Sequence, residues 1–214
     1  MRAILRIAAT TTAAGLLLAS AATMASASTA SPHPAATHAA RVHLTSGETS
    51  LTTVPGLAEE LVGDGIVPFA TTPGTETLVG TSSDPQFKFS FPVTGGRVNP
   101  ARLTGTIKHR GGILFVTVPP SGGAIKLSRF RISLTNRRLS AIVTVNPPGT
   151  GMRVTVAKLS FSHARFSIGR SHVKVRRIGV HLTTSGAEAL DNALGTTDFS
   201  PGEKIATART LVRF

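Results

Sequence analysis

The side chains that perform most enzyme chemistry are sparse and poorly spaced in this sequence. None of the 214 residues is a cysteine, which excludes a thiol nucleophile, a thiolate zinc site and an iron–sulfur cluster. The serine-nucleophile motif Gly-x-Ser-x-Gly and the zinc motif His-Glu-x-x-His do not occur. Residues 146–151 (NPPGTG) resemble part of a phosphate-binding loop, but Met152-Arg153 replace the Lys-Ser/Thr pair that contacts phosphate and magnesium. We therefore predict a protein that is not an enzyme, although residues distant in sequence can still meet in space.

Histidines near the N-terminus are the only regularly spaced metal-ligand type. His33, His38 and His43 recur every five residues, a spacing that fits neither one face of a helix nor a zinc-finger pair. The sequence therefore predicts no dedicated metal site.

Positive charge is concentrated in the middle of the chain. The formal net charge is +13, and no acidic residue occurs between Asp84 and Glu188, where 17 lysines and arginines lie. Uncompensated charge of this density produces a positive surface potential, and arginine favours bidentate contact with phosphate or carboxylate. We predict an anion-binding surface built from Arg129, Arg131, Arg137, Arg138, Lys174, Arg176 and Arg177.

The partner chemistry predicted for this surface is an anionic cell-wall polymer or a membrane surface. The alternative is a solvated basic surface that has no dedicated ligand. Specific nucleic-acid recognition is not predicted, because the chain has no tyrosine or tryptophan on which bases would stack. The identity of the ligand and the oligomeric state are left open by the sequence.

The N-terminus is typical of an exported protein. Arg2 and Arg6 precede an apolar stretch at 7–22, and Ala25-Ser26-Ala27 fits a signal-peptidase cleavage site. We predict a signal peptide at 1–27, a flexible leader at 28–41 and a single β-rich domain at 42–214. The protein is expected to be secreted, either extracellular or associated with the cell envelope, without a transmembrane segment.

Apolar residues alternate through the middle of the chain. Phe87, Phe89 and Phe91 alternate with Lys88 and Ser90, which is typical of a strand with one buried face. Short runs of this kind separated by Gly and Pro favour hairpins over βαβ units. The alternation shifts by one residue at 128–129, 157–158 and 176–177, which keeps the apolar face inward only if the strand is bulged or bent there. We predict an all-β fold, mainly an antiparallel β-sandwich with bent strands.

One short helix is indicated near the C-terminus. Ser185-Gly186-Ala187-Glu188 fits a capping box, and Gly195 suits the position that follows a helix. A second short helix is expected near the N-terminus, at 56–62.

Two glycine-rich segments carry a family resemblance. Residues 89–96 (FSFPVTGG) and 105–115 (GTIKHRGGILF) resemble the HtaA domain of exported actinobacterial proteins, and 182–190 (LTTSGAEAL) is similar to its closing segment. The resemblance implies an all-β exported domain associated with haem capture for iron acquisition. Haem binding is therefore the alternative to binding of an anionic polymer.

The resemblance also implies a site residue. His109 matches a histidine of the family motif, which makes it the candidate haem-pocket residue. The family holds the haem iron through a tyrosine, and this chain contains none, so only histidine or methionine could serve. Arginines could still pair with the haem propionates. The alternative for His109 is a surface residue beside a turn.

Overall fold

Strands dominate the computed structural model, which describes residues 41–118 and 123–214. The predicted signal peptide at 1–27, and the predicted leader except for Arg41, lie outside the described residues. In chain order the elements are β1 (Val42–His43), β2 (Ser46–Thr53), α1 (Leu57–Gly63), β3 (Ile66–Thr71), β4 (Thr75–Thr81), β5 (Asp84–Asn99), β6 (Thr104–His109), β7 (Gly112–Thr117), β8 (Ala124–Ser133), β9 (Arg138–Val145), β10 (Met152–Ser160), β11 (Arg165–Ile168), β12 (His172–Leu182), α2 (Thr184–Leu194) and β13 (Lys204–Arg213).

The strands form one antiparallel sheet that closes on itself. The circuit runs β5–β2–β13–β12–β10–β9–β8–β6 and returns to β5, because β6 pairs with both β5 and β8. The remaining strands attach to this circuit: β1 and β4 to β5, β11 to β12, and β7 to β8, with β3 beyond β7. The all-β prediction is confirmed. The predicted sandwich is corrected in one respect, since β6 joins what would be two sheets into a single barrel-like sheet.

The interior of the barrel is lined by the alternating apolar residues. Phe89 and Phe91 are 3% and 1% exposed, and the ring of Phe91 lies 4.9 Å from that of Phe130 on β8. Phe87 packs against the same core from a half-buried position. Burying one phenylalanine side chain stabilises the fold by about 1.5–3 kcal/mol, so the alternation in β5 is a major reason for its register.

The strands are bulged near the places where the alternation shifts. The β8–β9 register shifts between Ser128 and Arg131, and the β12–β13 register shifts between Val175 and Ile178. Arg129 and Arg177 adopt φ values of 50° and 60° there, as an inserted residue requires. In β10 the shift lies between Thr155 and Ala157, slightly earlier than predicted.

Two helices flank the closed sheet. Both expected helices are present, but α2 is capped by Thr183, whose side chain accepts a hydrogen bond from the backbone of Gly186, and not by Ser185. Gly195 ends α2 in the left-handed conformation, as predicted. Leu61 of α1 and Leu190 of α2 are buried in the same core as Phe89. Within the described ranges, no helix is long and apolar enough to cross a membrane.

Candidate functional site

A row of cations crosses the outside of the barrel. Arg131 of β8 lies opposite Lys108 of β6 on one side and Ser140 of β9 on the other. One step along the strands, Arg138 of β9 lies opposite Lys158 of β10. These four basic residues are exposed, because the inward positions between them are taken by the apolar core.

Arg153 packs among these cations. Its guanidinium donates hydrogen bonds to the carbonyl oxygen of Arg129 at 3.2 Å and to the hydroxyl of Ser140 at 3.3 Å. Partial burial lowers the pKa of Arg153, and the positive charges of Arg131 and Arg129 lower it further. We call Arg97, Lys108, Arg129, Arg131, Arg138, Arg153 and Lys158 the basic face.

The predicted anion-binding residues do not all lie on that face. Arg129, Arg131 and Arg138 belong to it, whereas Lys174 and Arg176 lie on β12, where the neighbouring strands are β11 and β13. The pKa of Lys174 is lowered by desolvation and by the charges of Arg176 and Arg209. The other two predicted anion-binding residues lie elsewhere: Arg177 is in the β12 bulge and Arg137 is in the β8–β9 turn. Their role in anion binding stays a prediction.

A basic groove of about 510 Å³ opens at one margin of this face. Its charged and imidazole side chains are those of Arg41, His43, Arg97 and Lys108. The rest of the lining is small, with Gly96 and Gly105 in β5 and β6. Glycines in strands let another backbone approach closely, and at Gly96 and Gly105 the backbones of β5 and β6 come together.

His109 is placed differently from both interpretations made for it. It is only 4% exposed and points into the barrel. The cavity beside it measures about 20 Å³ and is lined by core residues such as Phe91 and Ile178. His109 is therefore not a surface residue beside a turn, because Ile107 and His109 share the inward face of β6.

Both ring nitrogens of His109 make hydrogen bonds. Nδ1 lies 3.3 Å from the carbonyl oxygen of Phe130, which can only accept, so Nδ1 carries the proton. Nε2 lies 2.8 Å from the hydroxyl of Thr49 and accepts from it. The Thr49 hydroxyl in turn lies 3.0 Å from that of Thr210, which donates to it. Burial lowers the pKa of His109 to about 4, against a smaller opposing effect of the Phe130 carbonyl, so the ring is neutral at pH 7.

The described residues contain no group of three or more His, Asp or Glu side chains that could hold a metal ion. The sequence prediction did not include His43, Arg97 or Lys108 in a site. Their common position follows from pairing, since β5 brings Arg97 beside His43 of β1 and beside Thr106 of β6.

The HtaA family model matches residues 68–196, which is more than half of the chain. The chain belongs to the HtaA family. Among solved structures, the C-terminal domain of HtaA from Corynebacterium glutamicum aligns over 80% of this chain and 98% of that chain. The sequence identity is 17% and the TM-score is 0.55. That likeness shows the same fold. No curated protein sequence matches the chain.

A second solved structure is the haem-binding protein HtaB from Corynebacterium glutamicum. It aligns with 12% identity over 82% of this chain and 98% of that chain, with a TM-score of 0.45.

Two places in this HtaA-family chain can be compared as haem sites by the side chains that they offer to the iron and the propionates. His109 does not fit, because both of its ring nitrogens are hydrogen-bonded and the adjacent space is about 20 Å³. The basic groove fits in donor chemistry alone, since it combines one imidazole with three cations in about 510 Å³.

Proposed function

We propose that this chain is an exported, non-enzymatic binding protein of the HtaA family that captures haem in its basic groove. The observation that carries the proposal is the presence of His43 among Arg41, Arg97 and Lys108 in one groove of about 510 Å³. Family membership supports the same conclusion, because the HtaA resemblance implies haem capture.

The groove residues would have separate tasks. His43 is exposed, and a neutral imidazole nitrogen is a common protein ligand of haem iron. The cations of Arg41, Arg97 and Lys108 would pair with the two propionates through charge-assisted hydrogen bonds. Haem supplies an iron coordination position for that nitrogen when bound. His109 has no direct part in this proposal and serves instead to hold β6 and β8 together through the Phe130 carbonyl.

The proposal is tested by titrating the purified mature protein with ferric haem and following the Soret band. We expect saturable one-to-one binding. His43→Ala should weaken it at least about tenfold, the loss expected when a metal ligand or its direct support is removed. His163→Ala, which alters an exposed histidine between β10 and β11, is the matched control and should bind like the wild type.

Two results would overturn the proposal. One is the lack of a saturable Soret band in the wild-type protein. The other is a His43→Ala variant that binds haem with unchanged affinity and an unchanged spectrum.

A second function, docking to an anionic cell-wall polymer, is favoured by the basic face. Its seven cations lie on neighbouring strands from β5 to β10, and these strands contain no acidic residue after Asp84. A repeating polyanion could contact several of them at once, which is how exposed charges of small individual effect add up.

Co-sedimentation with purified anionic wall polymer tests this second function. Binding should be strong at about 0.01 M salt and lost near 1 M, as the Debye length falls from about 30 Å to about 3 Å. Arg131→Glu should reduce the bound fraction more than Arg170→Glu, which changes an exposed arginine in the β11–β12 turn. Binding that is insensitive to salt, or equally reduced by both variants, would exclude the basic face as the docking surface. Binding to anionic vesicles in place of wall polymer would assign the face to a membrane.

A further inference from the structure

A second, apolar cavity enters the barrel between the β5–β6 and β8–β9 turns. It measures about 420 Å³, within the range of small-molecule sites. The walls are inward-facing residues from β6, β8, β10 and β12: Ile107, Ile132, Leu159, Val175 and Ile178. The same side-chain alternation that builds the core therefore leaves part of the barrel interior as a pocket, as small β-barrels that hold one ligand do.

Aromatic side chains line part of this cavity. Phe161 and Phe166 stack with ring centroids 6.3 Å apart, and both line it. Phe166 is 40% exposed, although it lies opposite the buried Val175. Exposed apolar surface that continues into a cavity is a feature of ligand-binding grooves.

The entrance is positively charged. Arg102 in the β5–β6 turn and Arg137 in the β8–β9 turn line the cavity and are exposed. Among the residues that the structure describes, no acidic side chain lines it. Leu103 and Arg137 hold left-handed backbone φ values of 50° and 51°, a conformation that non-glycine residues adopt at a cost and that recurs at ligand sites.

The interior carries one buried hydroxyl that can only accept a hydrogen bond from a ligand, because its own proton is used elsewhere. Thr210 is 4% exposed and lines the cavity. Because Thr49 donates its proton to His109, the Thr210 proton is committed to Thr49, and only lone pairs of Thr210 remain for a ligand. A carboxylate would meet repulsion at Thr210 and attraction at the two arginines, so an amphiphile is oriented with its head outward.

We propose that this cavity binds a fatty carboxylate, that is, a single-chain amphiphile with a carboxylate head. The alkyl chain fills the apolar space between Ile107 and Ile178, and the carboxylate pairs with Arg102 and Arg137 at the entrance. The site is separate from the basic groove, because among the described residues only Thr135 lines both.

Displacement of a fluorescent fatty-acid probe by dodecanoate and by dodecanol tests the proposal. The chain has no tryptophan or tyrosine, so probe emission is measured without protein background. Dodecanoate should displace the probe at lower concentration than dodecanol. Arg102→Ala/Arg137→Ala should weaken dodecanoate at least about tenfold and dodecanol by less than about twofold, since only the charged head loses its partners. Arg170→Ala is the matched control.

Cavity-filling variants test the location. Ile178→Phe should abolish displacement by both compounds, and Ile132→Phe, on another wall, provides a second test if the first variant melts at a lower temperature. The proposal is overturned if dodecanoate does not bind, if the double arginine variant binds both compounds like wild type, or if a folded filling variant binds normally. His43→Ala should leave dodecanoate binding unchanged, so this proposal can fail independently of haem capture.

Discussion

His109 is a titratable group in the middle of an apolar core, and its surroundings are arranged for the neutral ring. The Phe130 carbonyl takes the Nδ1 proton and the Thr49 hydroxyl donates to Nε2, so a second ring proton would displace the latter bond. Burial of the charged form is the larger effect, which is why the pKa falls to about 4.

The stability of the protein should therefore depend on pH through His109. The folded-state pKa lies below the ordinary value of 6.5, so the unfolded chain binds more protons and stability falls as pH drops from 6.5 towards 4. The loss amounts to about 3 kcal/mol across that window. Urea unfolding between pH 7.5 and 5 measures the part of this loss that falls above pH 5, about 2 kcal/mol, and the slope should flatten in His109→Gln. An equal slope in both proteins would show that other groups cause the pH dependence.

A second prediction concerns the hydrogen bonds that join Thr210, Thr49 and His109. Thr49→Val removes the donor to His109 and the acceptor for Thr210 and leaves buried polar groups without partners. The expected loss of unfolding free energy is about 1–3 kcal/mol. Thr207→Val, at a half-buried position of β13, is the control and should change stability much less. Equal effects of the two substitutions would mean that these hydrogen bonds add nothing to the free energy of unfolding beyond ordinary packing.

The burial of His109 was available from the sequence, whereas its partners were not. Ile107 and His109 are two residues apart, and a strand places such residues on one face. Thr49 and Thr210, at 60 and 101 residues' distance in sequence, become neighbours of His109 only when the sheet closes.

At the level of elements, β5 and β6 approach closely because of their glycines. Gly96 and Gly105 have φ values of 137° and 120°, and a Cβ atom at Gly96 would overlap the carbonyl oxygen of Thr106. Gly95 has a φ of 144° but open space around it. Substitutions at Gly95 and Gly96 therefore distinguish the effect of backbone strain, which both positions share, from that of steric overlap, which only Gly96 has.

Alanine at these two positions should have unequal effects. Gly96→Ala should destabilise the protein by about 1–3 kcal/mol more than Gly95→Ala, because only the former forces the strands apart. Thermal or urea unfolding measures the difference. Variants of equal stability would contradict the close approach of β5 and β6.

Element boundaries show what local pattern can predict. The shifts in alternation at 128–129 and 176–177 predicted bulges that the structure contains, because a bulge is the local solution that keeps both halves of a strand apolar on one side. The predicted N-cap of α2 was wrong by two residues. Thr183 has an extended backbone and the hydrogen bond to Gly186, and the Ser-x-x-Glu pattern at 185–188 lies inside the helix.

For the whole molecule, charge density was predictable and charge position was not. The acid-free stretch between Asp84 and Glu188 shows that cations must crowd somewhere. The pairing of β6 with β5 and with β8 decides which cations become neighbours, and this pairing forms only when the sheet closes. The groove and the apolar cavity were missed for the same reason, since each is lined by segments far apart in sequence.

Crowded like charge should also limit stability. Arg131 lies opposite Lys108 and near Arg153, so replacing it by glutamate removes repulsion and adds attraction. Arg131→Glu should raise the melting temperature by about 1–3 °C at low salt. The gain should shrink at about 1 M salt, where the charges are screened. A lowered melting temperature at low salt would indicate that the side chain of Arg131 is needed for packing.

Haem bound as proposed contacts His43 and leaves His109 undisturbed. This can be measured by ¹H–¹³C NMR of protein labelled at histidine Cε1, recorded before and after addition of one equivalent of ferric haem. We expect the paramagnetic iron to shift the His43 resonance or to broaden it beyond detection, while the His109 resonance stays as that of a neutral buried ring. Loss of the His109 signal with an unchanged His43 signal would exclude the basic groove as the haem site and would require the barrel to open on binding.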